Sequence, residues 1–205
     1  QFGWKVLGAV FEQTGRIAEA LNANQRSLAL APQDAEAHYN LGITLKRLAR
    51  LDEAEVSLRQ AIALKSDFAE AHNNLGITLQ ELGRLDEAEA SFKQAIALEP
   101  DYAEAHYNLG NTLKELGRLD EALASYRQAI ELKTDYINAY FNLGKVYRTI
   151  GKHIKAVKCL EKPLELSSED TMGATLQLAR LRKKEIPDKT PERYMQEFYR
   201  SKPKY

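Results

Sequence analysis

The sequence predicts an all-α solenoid of stacked helix-turn-helix hairpins, closed at its C-terminal end by one further helix. Three observations carry this. A leucine-glycine pair recurs every 34 residues, at Leu7-Gly8, Leu41-Gly42, Leu75-Gly76, Leu109-Gly110 and Leu143-Gly144. Within each step the apolar residues fall into two runs of helical spacing, separated by a turn. Neighbouring steps are near copies: Ala69 to Tyr102 and Ala103 to Tyr136 are identical at 25 of 34 positions. A period of this length marks repeats that bury their apolar faces on each other, not a closed globular core.

Five units follow in order: 1–34, 35–68, 69–102, 103–136 and 137–170. The fourth shows the pattern most clearly. Leu109, Leu113 and Leu116 recur at helical spacing, then Leu119, Ala122, Tyr126, Ala129 and Ile130 do so again, with Gly117 between them. A small residue holds its own register at Ala20, Ala54, Ala88, Ala122 and Ala156. Gly110 is expected to face Ala122, so that two helix backbones approach closely. Acidic pairs such as Asp120 and Glu121 open the second helices, where they complement the positive end of the helix dipole. Pro32, Ser66, Pro100 and Thr134 punctuate the turn into the next unit. The fifth unit carries Pro163 inside its second helix, and proline there predicts a kink or an early stop.

After Asp170 the character changes. Residues 171–185 read as a capping helix with Met172, Leu176 and Ala179 on one face and Arg182, Lys183 and Lys184 at its end. Residues 186–205 read as a linker and a short amphipathic helix that starts at Thr190 and Pro191 and carries Tyr194, Met195, Phe198 and Tyr199. Those large residues either fold back onto the array or belong with a following domain. From Arg180 onward, nine basic residues stand against four acidic ones, a charge suited to docking on an acidic surface.

Composition excludes several functions. The chain has 205 residues, with 29 basic and 29 acidic side chains that cancel, which argues against bulk nucleic-acid binding. No apolar run reaches the ~18 residues of a membrane span. A single cysteine, Cys159, forms no internal disulfide and is expected as a small buried hydrophobe, and a reducing, cytoplasmic setting is expected. The chain opens on Gln1, already inside a repeat, so an N-terminal targeting segment is not observable. His38, His72 and His106 recur in register. A zinc ion needs ligands within ~2.1 Å, whereas equivalent positions on stacked helices lie ~10 Å apart. Packing is their expected role, in the slot that Trp4 and Tyr140 fill elsewhere. No phosphate loop, zinc-protease helix or nucleophile elbow occurs. Neither catalysis, a cofactor nor a metal is expected of this chain.

The array resembles the tetratricopeptide repeat family. The first unit supplies Trp4, Leu7, Gly8, Phe11, Gly15, Ala20, Ser27 and Pro32 at the family's marker positions. Departures are histidine at the leading aromatic position, Ala49 at the turn glycine and Pro163 at the late small position. The resemblance implies a right-handed superhelix whose first helices line a concave groove that binds proteins or peptides. The segment "TPERYMQEFYR" is similar to the stretch that joins some bacterial tetratricopeptide arrays to a methyltransferase domain. An alternative role is therefore the substrate-recognition or oligomerisation arm of a longer enzyme, a methyltransferase or glycosyltransferase.

The family geometry projects the second, fifth, sixth, ninth and twelfth positions of each first helix into that groove. The second gives Glu36, Glu70 and Glu104; the fifth gives Tyr39, Asn73, Tyr107 and Phe141. The sixth is an unbroken row, Asn40, Asn74, Asn108 and Asn142, and the ninth adds Asn111. Asparagine both donates and accepts hydrogen bonds. Such a row can pair with the backbone of an extended peptide, and it resembles the asparagine ladder in the tetratricopeptide arm of O-linked N-acetylglucosamine transferases. It can equally bond to the neighbouring repeat. Glutamate in place of the family's clamp cations excludes a carboxylate clamp and favours Lys- or Arg-bearing partners, unless the row is only a solvated face.

Overall fold

The computed structural model describes residues 2–166 and 173–185, with side chains to 181. Among the described residues there are eleven helices and no strand. They are α1 (Phe2–Gln13), α2 (Ile17–Leu30), α3 (Ala35–Arg47), α4 (Leu51–Leu64), α5 (Ala69–Glu81), α6 (Leu85–Leu98), α7 (Ala103–Glu115), α8 (Leu119–Leu132), α9 (Ile137–Thr149), α10 (His153–Leu166) and α11 (Ala174–Glu185). The architecture is an all-α helical solenoid. It divides into two compact units, Gln1–Leu132 and Lys133–Tyr205.

The turns between paired helices are made by one residue in the left-handed region. Gly83 and Gly117 sit at φ 76°, a conformation that costs a residue with a Cβ about 1–2 kcal/mol. Ala49 stands at the same place in the second hairpin and adopts φ 56° all the same. The entry to α3 is capped by Asp34, whose carboxylate accepts from the amides of Glu36 (2.9 Å) and Ala37 (3.2 Å). Acidic pairs open α4, α6 and α8.

In the first unit each hairpin stacks on the next: α2 packs on α3, α4 on α5 and α6 on α7, while α1, α3, α5 and α7 also touch in succession. Ala20, Ala54, Ala88 and Ala122 are fully buried, as their register requires. The glycine of the leucine-glycine pair faces the expected alanine's backbone, with the Ala54 carbonyl oxygen 3.4 Å from a Cβ placed on Gly42, and its nearest neighbour is the large residue one turn further along the partner helix. A Cβ on Gly110 would lie 2.7 Å from the Tyr126 ring, and one on Gly76 would lie 2.6 Å from Phe92. The glycine therefore makes room for the large residue of its partner helix, one turn beyond the alanine.

In the second unit α9 pairs with α10, and α11 packs on α10. Pro163 does not stop α10, which continues to Leu166. The proline falls in the last turn, so only one internal hydrogen bond is forfeited there, and its compact ring is buried at the register position of Ala129. The buried face of α11 is Ala174, Leu178 and Leu181, at spacings of four and three, whereas Leu176, expected on that face, is exposed. Cys159 is half-buried rather than buried. Residues 171–172, the expected start of this helix, and 186–205, with the amphipathic helix and most of the basic tail, lie outside the described residues.

Candidate functional site

The first helices α3, α5 and α7 bring most of the expected residues onto neighbouring positions. Bonds across repeats show this directly. The Asn74 Nδ2 donates to the Tyr39 hydroxyl (3.2 Å), and Asn108 Nδ2 donates to Asn73 Oδ1 (3.0 Å), each spanning 35 residues. Asn73 Nδ2 in turn donates to the Tyr102 hydroxyl (3.4 Å). Tyr39 stacks in a tilted contact with Phe68, their ring centroids 4.8 Å apart, and Tyr107 lies against Tyr126 at 6.0 Å. The Tyr126 hydroxyl donates to Asn111 Oδ1 at 2.8 Å.

Exposure sorts these residues. Glu36, Glu70 and Glu104 are exposed, while Tyr39, Asn40, Asn74, Tyr107, Asn108 and Asn111 are half-buried. Asn73 is buried, as are Phe141 and Asn142 on α9 of the second unit. Lys5 spans Asp34 (3.0 Å) and Glu36 (2.5 Å), so the first glutamate of the row already holds a cation.

Two groups at this face escaped sequence reasoning. Lys46, at the twelfth position of its helix, donates to Asn74 Oδ1 at 2.9 Å. Burial lowers its pKa, opposed by the charge of Glu81. Tyr102, from the turn ahead of α7, is pushed up to about 12 by burial, by the charge that Tyr39 gains only when it too loses its proton in alkali, and by the carboxylates of Glu70 and Glu104. Burial likewise raises Tyr39, with Glu70 adding to it. A half-buried hydroxyl that feels these negative charges stays protonated and can donate.

A second network lies on other edges of the same unit. Arg84 bridges Glu55 (2.7 Å) and Glu87 (2.6 Å), and Arg118 bridges Glu89 and Glu121 (both 2.6 Å). Burial works to raise the Glu89 pKa, and the hydrogen bonds from Lys93 and Arg118 outweigh it and hold the carboxyl low. The recurrence of Arg at 29 residues after Glu in both cases was a readable signal for this inter-repeat link. The three in-register histidines each meet a backbone carbonyl six residues back: His38 with Pro32 (3.0 Å), His72 with Ser66 (3.3 Å) and His106 with Pro100 (2.9 Å). Among the described residues no group of three or more His, Cys, Asp or Glu side chains is placed to hold a metal ion, and no helix is long and apolar enough to cross a membrane.

The family model described as TPR repeat matches residues 8–48, 50–83, 78–117 and 110–151, and the one described as Tetratricopeptide repeat matches residues 137–170. The chain belongs to the tetratricopeptide repeat family. A comparison with curated proteins gives no match. Among solved structures, the tetratricopeptide chain is similar to MamA, at 30% identity and a TM-score of 0.71 over 78% of this chain and 94% of that one. It is also similar to TTC0263, a thermophilic TPR protein of Thermus thermophilus, at 26% identity and 0.68 over 87% and 97%. YrrB, described as a TPR protein with an unusual peptide-binding site, shares the fold at 23% identity, with 0.69 over 85% and 89%.

Proposed function

We propose that the groove formed by α3, α5 and α7 binds an extended segment of a partner protein that carries lysine or arginine, without catalysis. The observation that carries this reading is the acidic row itself: Glu70 and Glu104 are exposed, one repeat apart, beside the half-buried rings of Tyr39 and Tyr107. A basic side chain laid across them gains charge-assisted hydrogen bonds and an aromatic surface for its aliphatic stem. One turn further along, the carboxamide of Asn40 and what Asn108 retains beyond its bond to Asn73 offer the peptide backbone amide partners that do not depend on its sequence. The peptide-binding site named for YrrB is consistent with this use of the fold, as said of that protein alone.

The test is calorimetric titration of extended lysine- or arginine-bearing peptides against sequence-matched neutral and acidic ones. Basic peptides should bind, and more weakly as salt rises. The Glu70→Gln/Glu104→Gln variant should lose that preference while melting as the parent does, since both side chains are exposed. Equal affinity for all three peptide classes would remove the charge argument.

A further inference from the structure

The groove holds a cation that the glutamate row does not explain. Lys46 lies half-buried near the end of α3, at the twelfth position, apart from the second and sixth positions where glutamate and asparagine exclude a carboxylate clamp. Its ammonium carries three protons, and one of them goes to Asn74 Oδ1 at 2.9 Å. That acceptor is neutral. Nearby donors are better served: Lys5 spans Asp34 and Glu36, Arg47 holds Glu12, and Gln80, at the register of Lys46, donates to Glu115 at 2.8 Å. Lys46 forms no ion pair among the described residues, and the exposed Glu81 acts on it only through its field.

Tyr39 leaves a second donor on the same carboxamide. Its hydroxyl accepts from Asn74 Nδ2 at 3.2 Å, and its own proton goes to no acceptor among the described residues. Burial and the charge of Glu70 raise its pKa, so the proton stays. Asn74 is itself fixed, because its other amide proton goes to the Glu70 carbonyl at 3.0 Å. Lys46 and Tyr39 therefore flank one held carboxamide, each with a proton to give and neither with an anion to receive it. A cation drawn out of water without a counter-charge is costly, and burial accordingly lowers the Lys46 pKa. An incoming carboxylate removes that cost.

We propose that Lys46 and Tyr39 form a carboxylate-binding subsite of the groove, and that the partner segment carries aspartate or glutamate close to its lysine or arginine. This rests on the groove reading above and adds the second half of the partner's charge pattern. The helix sets the spacing. Asn74 lies one turn, about 6 Å, beyond Glu70 along α5, and alternate side chains on one face of an extended chain are ~6.6 Å apart. The acidic residue therefore stands two positions from the basic one that meets Glu70.

Calorimetric titration tests this with extended peptides that carry one lysine and, two residues before or after it, either glutamate or glutamine. In one order or both, glutamate should bind the parent about fivefold tighter than glutamine, or more. Lys46→Gln, which keeps a donor for Asn74, should abolish that gain and Lys46→Arg should retain it, with unchanged helicity in both. A second measurement does not depend on the glutamate row: in the Glu70→Gln/Glu104→Gln variant, an acidic peptide without lysine should move the NMR signal of the Lys46 ε-carbon. Glutamate and glutamine peptides that bind measurably but equally in both orders, a gain that survives Lys46→Gln, or a Lys46 signal that stays still would each overturn the subsite. Loss of the preference for basic peptides with the Lys46 signal still moving would strike the glutamate row alone and uphold the subsite.

Discussion

Replacing Gly76 by alanine tests how the repeats are locked, because two opposing effects of known size meet there. In a helix interior, glycine to alanine gains about 1 kcal/mol from backbone propensity. Against this, the new Cβ would sit 2.6, 2.8 and 2.8 Å from three atoms of the Phe92 ring. Ordinary carbon contacts begin near ~3.5 Å, so the ring must retreat by about 1 Å. Phe92 has no surface exposure, and retreat pushes it into a packed interior. Overpacking of this kind costs about 1–3 kcal/mol; with three atoms affected the upper end applies, and the net loss is about 1–2 kcal/mol. Urea titration followed by circular dichroism measures it, with amide exchange to assign the loss to α5 and α6, since repeat arrays unfold in parts. In a Phe92→Ala background the obstacle is gone and Gly76→Ala should stabilise by about 1 kcal/mol. If Gly76→Ala is neutral or stabilising in the parent, or if its sign does not reverse in that background, the glycine is not there to accommodate the ring.

The turn shows the opposite exchange: Ala49→Gly relieves the left-handed conformation at φ 56°, loses a methyl on an exposed residue, and should raise stability by about 0.5–1 kcal/mol after the entropy of the unfolded glycine is counted; an unchanged urea midpoint would mean that the turn is not strained. Alkaline unfolding should begin above pH 10, because Tyr102 keeps its proton in the folded chain up to about 12 while its unfolded counterpart loses it near 10, so the unfolded state binds fewer protons and stability falls with rising pH between those values; Tyr102→Phe should flatten that part of the pH profile, and an identical profile would discard the attribution. Removing residues beyond 170 should expose the surface now covered by Leu178 and Leu181, both nearly fully buried, at a loss of about 3–6 kcal/mol for two leucines; the truncated chain should scatter light and melt earlier, and a monomer with the parent's melting point would deny α11 a capping role.

The helices and their pairing were legible because each 34-residue step repeats the same two apolar runs and the same turn, so five statements of one pattern outweigh the noise of any single one. Contacts that depend on how one repeat sits on the next were harder to read. Ala122 and Tyr126 lie on the same face of α8, one turn apart, and the periodicity alone does not decide which of them meets Gly110. Leu176 and Leu178 are both apolar, and only the docking of α11 on α10 selects Leu178. Lys46 and Asn74 are 28 residues apart and belong to no motif; their hydrogen bond follows from the rotation between successive hairpins. The acidic row was legible as a row, since exposed positions keep their register, but Lys5 of the first repeat, which neutralises Glu36, breaks the pattern that the other first helices follow.

The asparagine row is where packing and binding separate, because its members differ in what their side chains have left to give. A carboxamide has two protons and two lone pairs. Asn74 spends both protons, on the Tyr39 hydroxyl and the Glu70 carbonyl, and one lone pair on Lys46. Asn108 spends one proton on Asn73. Asn40 uses only its backbone carbonyl, as acceptor from Asn24 and Thr44, and its side chain makes no hydrogen bond among the described residues. Asn74→Ala should therefore destabilise by about 1–3 kcal/mol, because a desolvated lysine loses its acceptor, whatever the groove binds. Asn40→Ala should leave stability unchanged or slightly raised, alanine being the better helix former, and should lower the affinity for an extended peptide by about 0.5–1.5 kcal/mol for each hydrogen bond lost. Thermal melts and calorimetric titrations on the same two variants measure both quantities. An Asn40→Ala chain that binds peptide as the parent does would confine the row to holding one repeat on the next, and would leave recognition to the glutamates and tyrosines beside it.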